Sequence, residues 1–168
     1  NTGMGFEAPH HKRLFDAVRP GLWVNLARVR REARRLPAAI AAFQRALELA
    51  PAADTWSMLS NALREAGRDR EALSAARTAL ARDPWLGEAH LNEGAALHVL
   101  GDISAAVASY FVASRLAATR EPALANLRLA LRMAPASAND GPIKALALHL
   151  LEAPDDHASL CVLAEQLN

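Results

Sequence analysis

Apolar residues recur along the chain at helical spacing, in blocks of about a dozen closed by glycine or proline. "RLPAAIAAFQRALELAP" (35–51) and "GRDREALSAARTALARDP" (67–84) are two such blocks. No stretch sustains the apolar-polar alternation of a half-buried strand. The pattern predicts first helices near 21–34, 54–66, 87–100 and 122–133, and second helices near 37–50, 69–82 and 103–117. A separate short helix, capping the N-terminal end of the array, is expected over 9–18. After Pro135 the pattern changes: "ASANDGP" (136–142) reads as a turn-rich linker, and 142–154 as a helix between two prolines. Residues 155–168 open with carboxylates and carry Leu160, Leu163, Ala164 and Leu167 as an apolar stripe.

The blocks repeat. Shifted by 33 or 34 residues, the chain falls on itself: Trp23 on Trp56, His90 and Leu124, and Leu26 on Leu59, Glu93 and Leu127. Ala39 falls on Ala72 and Ala106, followed by Phe43, Ala76 and Tyr110, then Ala46, Ala79 and Ala113. Pro51 and Pro84 close two units, with Ala118 in the third such place. A hairpin of two amphipathic helices explains these columns. Alanine lets the helices approach, and a large residue fills the gap beside them. Gly67 and Gly101 permit the left-handed conformation that ends a first helix, and the prolines stop the second. One hairpin cannot bury both its faces, so neighbours must stack.

"WVNLA" (23–27), "WSMLS" (56–60), "HLNEG" (90–94), "EAGRDREAL" (65–73) and "VLGDISAAV" (99–107) together resemble the tetratricopeptide repeat, with its W-x2-L-G, A-x3-F and P columns. The resemblance covers roughly residues 20–134, with Glu93 departing from the apolar column. It implies an all-α, right-handed solenoid of helical hairpins. The expected organisation is an N-terminal segment over 1–19, the array over 20–134, and a linker with C-terminal capping helices over 135–168.

Composition narrows the function. Alanine and leucine dominate, and aromatics are 5% of the chain, which favours helix. The net charge of +1 steers the whole molecule toward neither nucleic acid nor membrane. Charge is uneven, however. Residues 1–50 hold nine Lys/Arg against four Asp/Glu, and residues 137–168 hold one against five. The arginines of "RVRREARR" (28–35) point around the helix with no aromatic among them, so they read as a solvated face. No apolar run is long enough for a membrane span, and one cysteine allows no internal disulfide. No cofactor is expected, and the reading places the chain in the cytoplasm. No phosphate loop, HExxH motif or nucleophile elbow occurs. His10 and His11 are adjacent and diverge on a helix, so they make a poor metal pair. His157 and Cys161 share a face, but a cysteine on an apolar stripe reads as core. The expectation is therefore no enzyme, no catalytic residue and no metal ligand.

In the family the chain resembles, the first helices line a concave groove. The columns that would face it read Asn25, Met58, Asn92, Asn126; then Arg28, Asn61, Ala95, Leu129; then Arg31, Arg64, His98, Arg132. The peptide-binding set expected here is Asn25, Arg28, Arg31, Asn61, Arg64, Asn92, His98, Asn126 and Arg132. An asparagine amide can both donate to and accept from peptide main chain. A similar asparagine ladder occurs in the repeat domains of O-linked N-acetylglucosamine transferases, the SPINDLY-like proteins. The clamp that some family members use for acidic tails is incomplete, since Val24 stands where its lysine would lie and Arg28 where an asparagine would. The sequence thus points to a module that binds an extended protein or peptide segment, acidic by the arginine column. The alternatives are the repeat portion of a larger enzyme such as a glycosyltransferase, and a self-assembling scaffold.

Overall fold

The computed structural model describes the backbone of residues 9–133 and the side chains of residues 19–130. Within them the chain is all-helical. Helix α1 spans Pro9–Glu32, α2 Leu36–Leu49, α3 Ala53–Glu65, α4 Asp69–Arg82, α5 Gly87–Val99, α6 Ile103–Ser114 and α7 Arg120–Met133. A single 3-10 turn, Ala117–Thr119, precedes α7. Each odd helix pairs with the next even one, and each even helix packs on the odd helix of the following unit. This succession makes a helical-repeat solenoid.

The hairpin turns share one geometry. Gly67 and Gly101 have φ of +73° and +89°, and Arg34, one period before Gly67, has φ of +59°. In each turn the left-handed residue donates to the carbonyl three back, and its successor to the carbonyl five back from itself. The pairs are Arg34 to Arg31 and Arg35 to Arg30, Gly67 to Arg64 and Arg68 to Leu63, and Gly101 to His98 and Asp102 to Leu97. These bonds satisfy carbonyls that the helix end leaves open. The first turn therefore does without glycine, a conformation L-residues adopt at a cost.

Small residues sit where the two helices of a hairpin meet. Ala27 and Ala39, Ser60 and Ala72, and Gly94 and Ala106 are all buried. The Ser60 hydroxyl donates to the Ala72 carbonyl at 2.7 Å, tying α3 to α4. A Cβ on Gly94 would lie 2.7 Å from the Tyr110 ring, so this crossing needs glycine. The third unit lacks its proline, and Thr119 closes it instead. Its buried hydroxyl donates to the Ala113 carbonyl at 2.8 Å.

The core has two parts. Ala27, Ile40, Phe43, Leu47, Leu59 and Leu63 centre the first, with Trp23 and Trp56 packed against it. Leu91, Val107, Tyr110, Phe111 and Leu127 centre the second. Leu73 packs against both, so each unit is buried by its neighbours.

Two expectations change, and one departure from the repeat is explained. The stretch 9–18 is not a separate helix. Helix α1 runs through Pro20, which removes one backbone bond without ending the helix. Leu26 stands in the same column as the buried Leu59 but is exposed, because no earlier unit packs on α1 among the described residues. Glu93, in the same column, is held by polar partners. Arg77 of α4 donates to it at 3.0 Å and the Ser109 hydroxyl at 3.1 Å. The linker and capping helices expected over 135–168, with His157 and Cys161, lie outside the described residues, as do the side chains of His10 and His11.

Candidate functional site: the face of the first helices

The first helices draw together along one side of the stack. Helix α3 packs on α5 and α5 on α7, whereas the second helices make no comparable contact with one another. From α3 onward the first helices are therefore neighbours along one side of the stack. Residues three apart on a helix share a face, so the three columns lie together on each of them.

Asn25 and Arg28 are exposed on α1. Arg31 lies 3.9 Å and Arg34 3.7 Å from the Glu65 carboxylate of α3, which joins the first two units. On α3 the half-buried Arg64 donates from Nη2 to Asn61 Oδ1 at 3.1 Å. Its Nε is buried with no hydrogen-bond partner. His98 and Asn126 are half-buried, and Leu129 is exposed. Arg132 lies on α7, and its side chain is outside the described set.

Asn92 departs from the expectation. It is only 9% exposed. Its amide nitrogen donates to the Ser57 carbonyl at 3.0 Å and lies 3.1 Å from the Ser57 hydroxyl. The group that would donate to a bound peptide is thus engaged in bridging α3 and α5. Sequence alone hides this, because Ser57 lies 35 residues away and looks like an ordinary polar helix position.

The arrangement presents cationic and amide donors along one face, with the Arg31–Glu65 contact partly offsetting the charge. Tyr110, behind α5, lies close enough to feel Arg64. Burial pushes its hydroxyl up to about 12, and the arginine charge pulls slightly the other way. In the unfolded chain the group ionises near 10. Between those two values the unfolded state has lost the proton that the folded state still holds. Stability is unaffected below the lower value, falls as pH rises through the interval, and levels off above it. The loss should be about 2–3 kcal/mol. Tyr110 is the only tyrosine, so tyrosinate absorbance reads it alone. The expected titration midpoint is near 12. Tyr110→Phe should remove most of the alkaline decline seen by denaturant titration.

A second concavity was not anticipated. A cleft of about 630 Å³ lies between the 84–85 loop, α5 and α6, lined in part by Trp85, His90, Glu93, Phe111 and Arg115. Trp85 is 76% exposed at its edge. His90 Nε2 donates to the Pro84 carbonyl at 2.9 Å, leaving its buried Nδ1 without a partner. The signal was present in the column that reads Trp, Trp, His, where the side chain becomes smaller.

Among the described residues no group of three or more His, Cys, Asp or Glu is placed to hold a metal. No helix there is long and apolar enough to cross a membrane. A tetratricopeptide-repeat family model matches residues 20–52, the first full unit, α1 from Pro20 onward with α2. That match, with the repeated hairpins, supports the tetratricopeptide-repeat class. The chain matches no curated protein.

Proposed function

We propose that this chain is a protein-interaction module that holds an extended, acidic partner segment along the face of its first helices. The observation that carries the reading is the half-buried Arg64, whose Nε lacks a partner beside Asn61, in line with the exposed Asn25 and Arg28. A guanidinium in a partly desolvated place favours a carboxylate. In this reading Asn25, Asn61 and Asn126 hydrogen-bond the partner's main chain. Arg28, Arg31, Arg64, His98 and Arg132 attract its carboxylates. Asn92 holds the spacing between units rather than touching the partner through its nitrogen.

A fluorescein-labelled peptide of alternating glycine and glutamate is a direct probe, with a glycine-lysine peptide as control. The glutamate peptide should bind, and more weakly at high salt. Arg64→Ala should weaken binding by about 1.5–3 kcal/mol and Asn25→Ala by about 0.5–1.5 kcal/mol. Equal binding of both peptides would overturn the reading. So would wild-type affinity in both variants with loss in Arg70→Ala, which changes an exposed arginine of α4 instead.

A further inference from the structure

The first unit exposes positions that the later units bury, apart from Glu93 of α5, which is partly buried. Along α3, α5 and α7 the third, seventh and tenth positions of the repeat face the preceding second helix. Thr55, Leu59 and Ala62 are buried there, as are Ala89 and Ala96, and Ala123, Leu127 and Ala130. The same positions on α1 are Leu22, Leu26 and Val29, at 58%, 37% and 62% exposed. They lie at i, i+4 and i+7 and form one apolar stripe. The α1 stripe is more apolar than the equivalent positions of α3, α5 and α7, which are mostly alanine with Thr55 and Glu93 among them. It has the character of a helix-docking surface.

Its charge selects the occupant. Arg19 and Arg30 fall along one edge of the stripe by helical rotation, Arg30 also donating to the Ala38 carbonyl of α2 at 3.2 Å, and the first fifty residues carry nine Lys/Arg against four Asp/Glu. Two α1 faces meeting each other would bring these charges together. An acidic helix with a leucine stripe would be accepted. The chain contains such a pattern in residues 155–168, where Leu160, Leu163 and Leu167 recur at i, i+3 and i+7 beside Asp155, Asp156 and Glu165. Helices α1 and α7 end opposite sides of the stack, α1 packing on α2 and α7 on α5 and α6. Whatever follows α7 in the chain therefore starts from the end of the stack opposite α1.

We propose that the chain associates head to tail, the Leu22–Leu26–Val29 face of one copy receiving residues 155–168 of a second. The proposal does not depend on the groove reading. Such a contact joins two different surfaces, so it propagates unless the geometry closes into a ring.

Sedimentation velocity of the 168-residue chain over a wide concentration range tests it. Sizes should grow with concentration, and less so at high salt. Leu26→Glu blocks the face, and because Leu26 is exposed the fold should survive, as circular dichroism will show. Leu163→Glu blocks the tail. Each variant alone should associate more weakly by about tenfold or more. Mixed together, they should form a one-to-one pair and nothing larger, because one supplies an intact tail and the other an intact face. That rescue also shows that each variant is folded where it matters. A wild-type chain that stays monomeric at every concentration overturns the proposal. Undiminished self-association of Leu163→Glu would overturn it in favour of face-to-face pairing, and a mixture that stays monomeric would overturn it in favour of another surface.

Discussion

Phe43→Ala should destabilise the first two units by about 3–5 kcal/mol. The ring is fully buried at the centre of the core that joins α1, α2 and α3. Its column holds Phe43, Ala76 and Tyr110, so the second unit has no large residue of its own at this position. Ile40, Leu47, Leu59 and Leu63 around it cannot close the void without moving helices apart. Because a repeat array is stabilised by nearest neighbours, the loss should fall unevenly. Trp23 and Trp56 pack against this core and report on it by fluorescence. In urea, their transition should shift well below the one that hydrogen exchange finds for α5 to α7. A single shared transition, displaced by less than about 1 kcal/mol, would show that the core around Phe43 is not what holds the first units.

The second large effect is a contrast within one column. Leu59→Ala should cost about 2–5 kcal/mol, and Leu26→Ala less than about 1 kcal/mol at dilute concentration. Both are leucine, both occupy the seventh position of a repeat, and both sit on a first helix. Leu59 is 3% exposed beneath α2, and Leu26 is 37% exposed with no described helix packed over it. Chemical denaturation of the two variants at one low protein concentration measures the difference. Equal costs would mean that α1 is covered in solution. If that cover is a second copy, the cost of Leu26→Ala should grow with protein concentration.

Much of the fold is legible because its causes are local. Helix spacing of apolar residues, glycine at the hairpin turns and proline at the unit ends act within a few residues of where they stand. The breaks at Gly67 and Gly101 and the end of α4 before Pro84 follow from these alone. Small residues at helix crossings are equally readable, since close packing of two helices excludes side chains whatever else surrounds them. One expectation failed: the helix expected over 9–18 is the start of α1, which runs on through Pro20. The first turn reaches the left-handed conformation at Arg34, where no glycine announces it.

The candidate site was legible only as a set of columns. Periodicity places Asn25, Asn61, Asn92 and Asn126 at related positions, and it assigns them one role. The fold separates them. Asn25 meets solvent, Asn61 accepts from Arg64, and Asn92 donates across to Ser57. These partners come from other helices or from side-chain rotamers, which a repeat pattern does not encode. The cleft beside His90 belongs to the same category. It exists because a column that holds tryptophan twice then holds a smaller ring, between two helices and a loop that meet only in three dimensions.

By itself the sequence determined that the chain is an all-helical array of hairpins with a period of 33 or 34 residues, and where its units turn. Those properties arise from backbone preferences and from which face of each helix is apolar. The tertiary structure decided which apolar faces are covered. A helix carries its stripe whether or not a neighbour exists to bury it. Leu59 is core and Leu26 is surface because α2 lies over one and no described helix lies over the other.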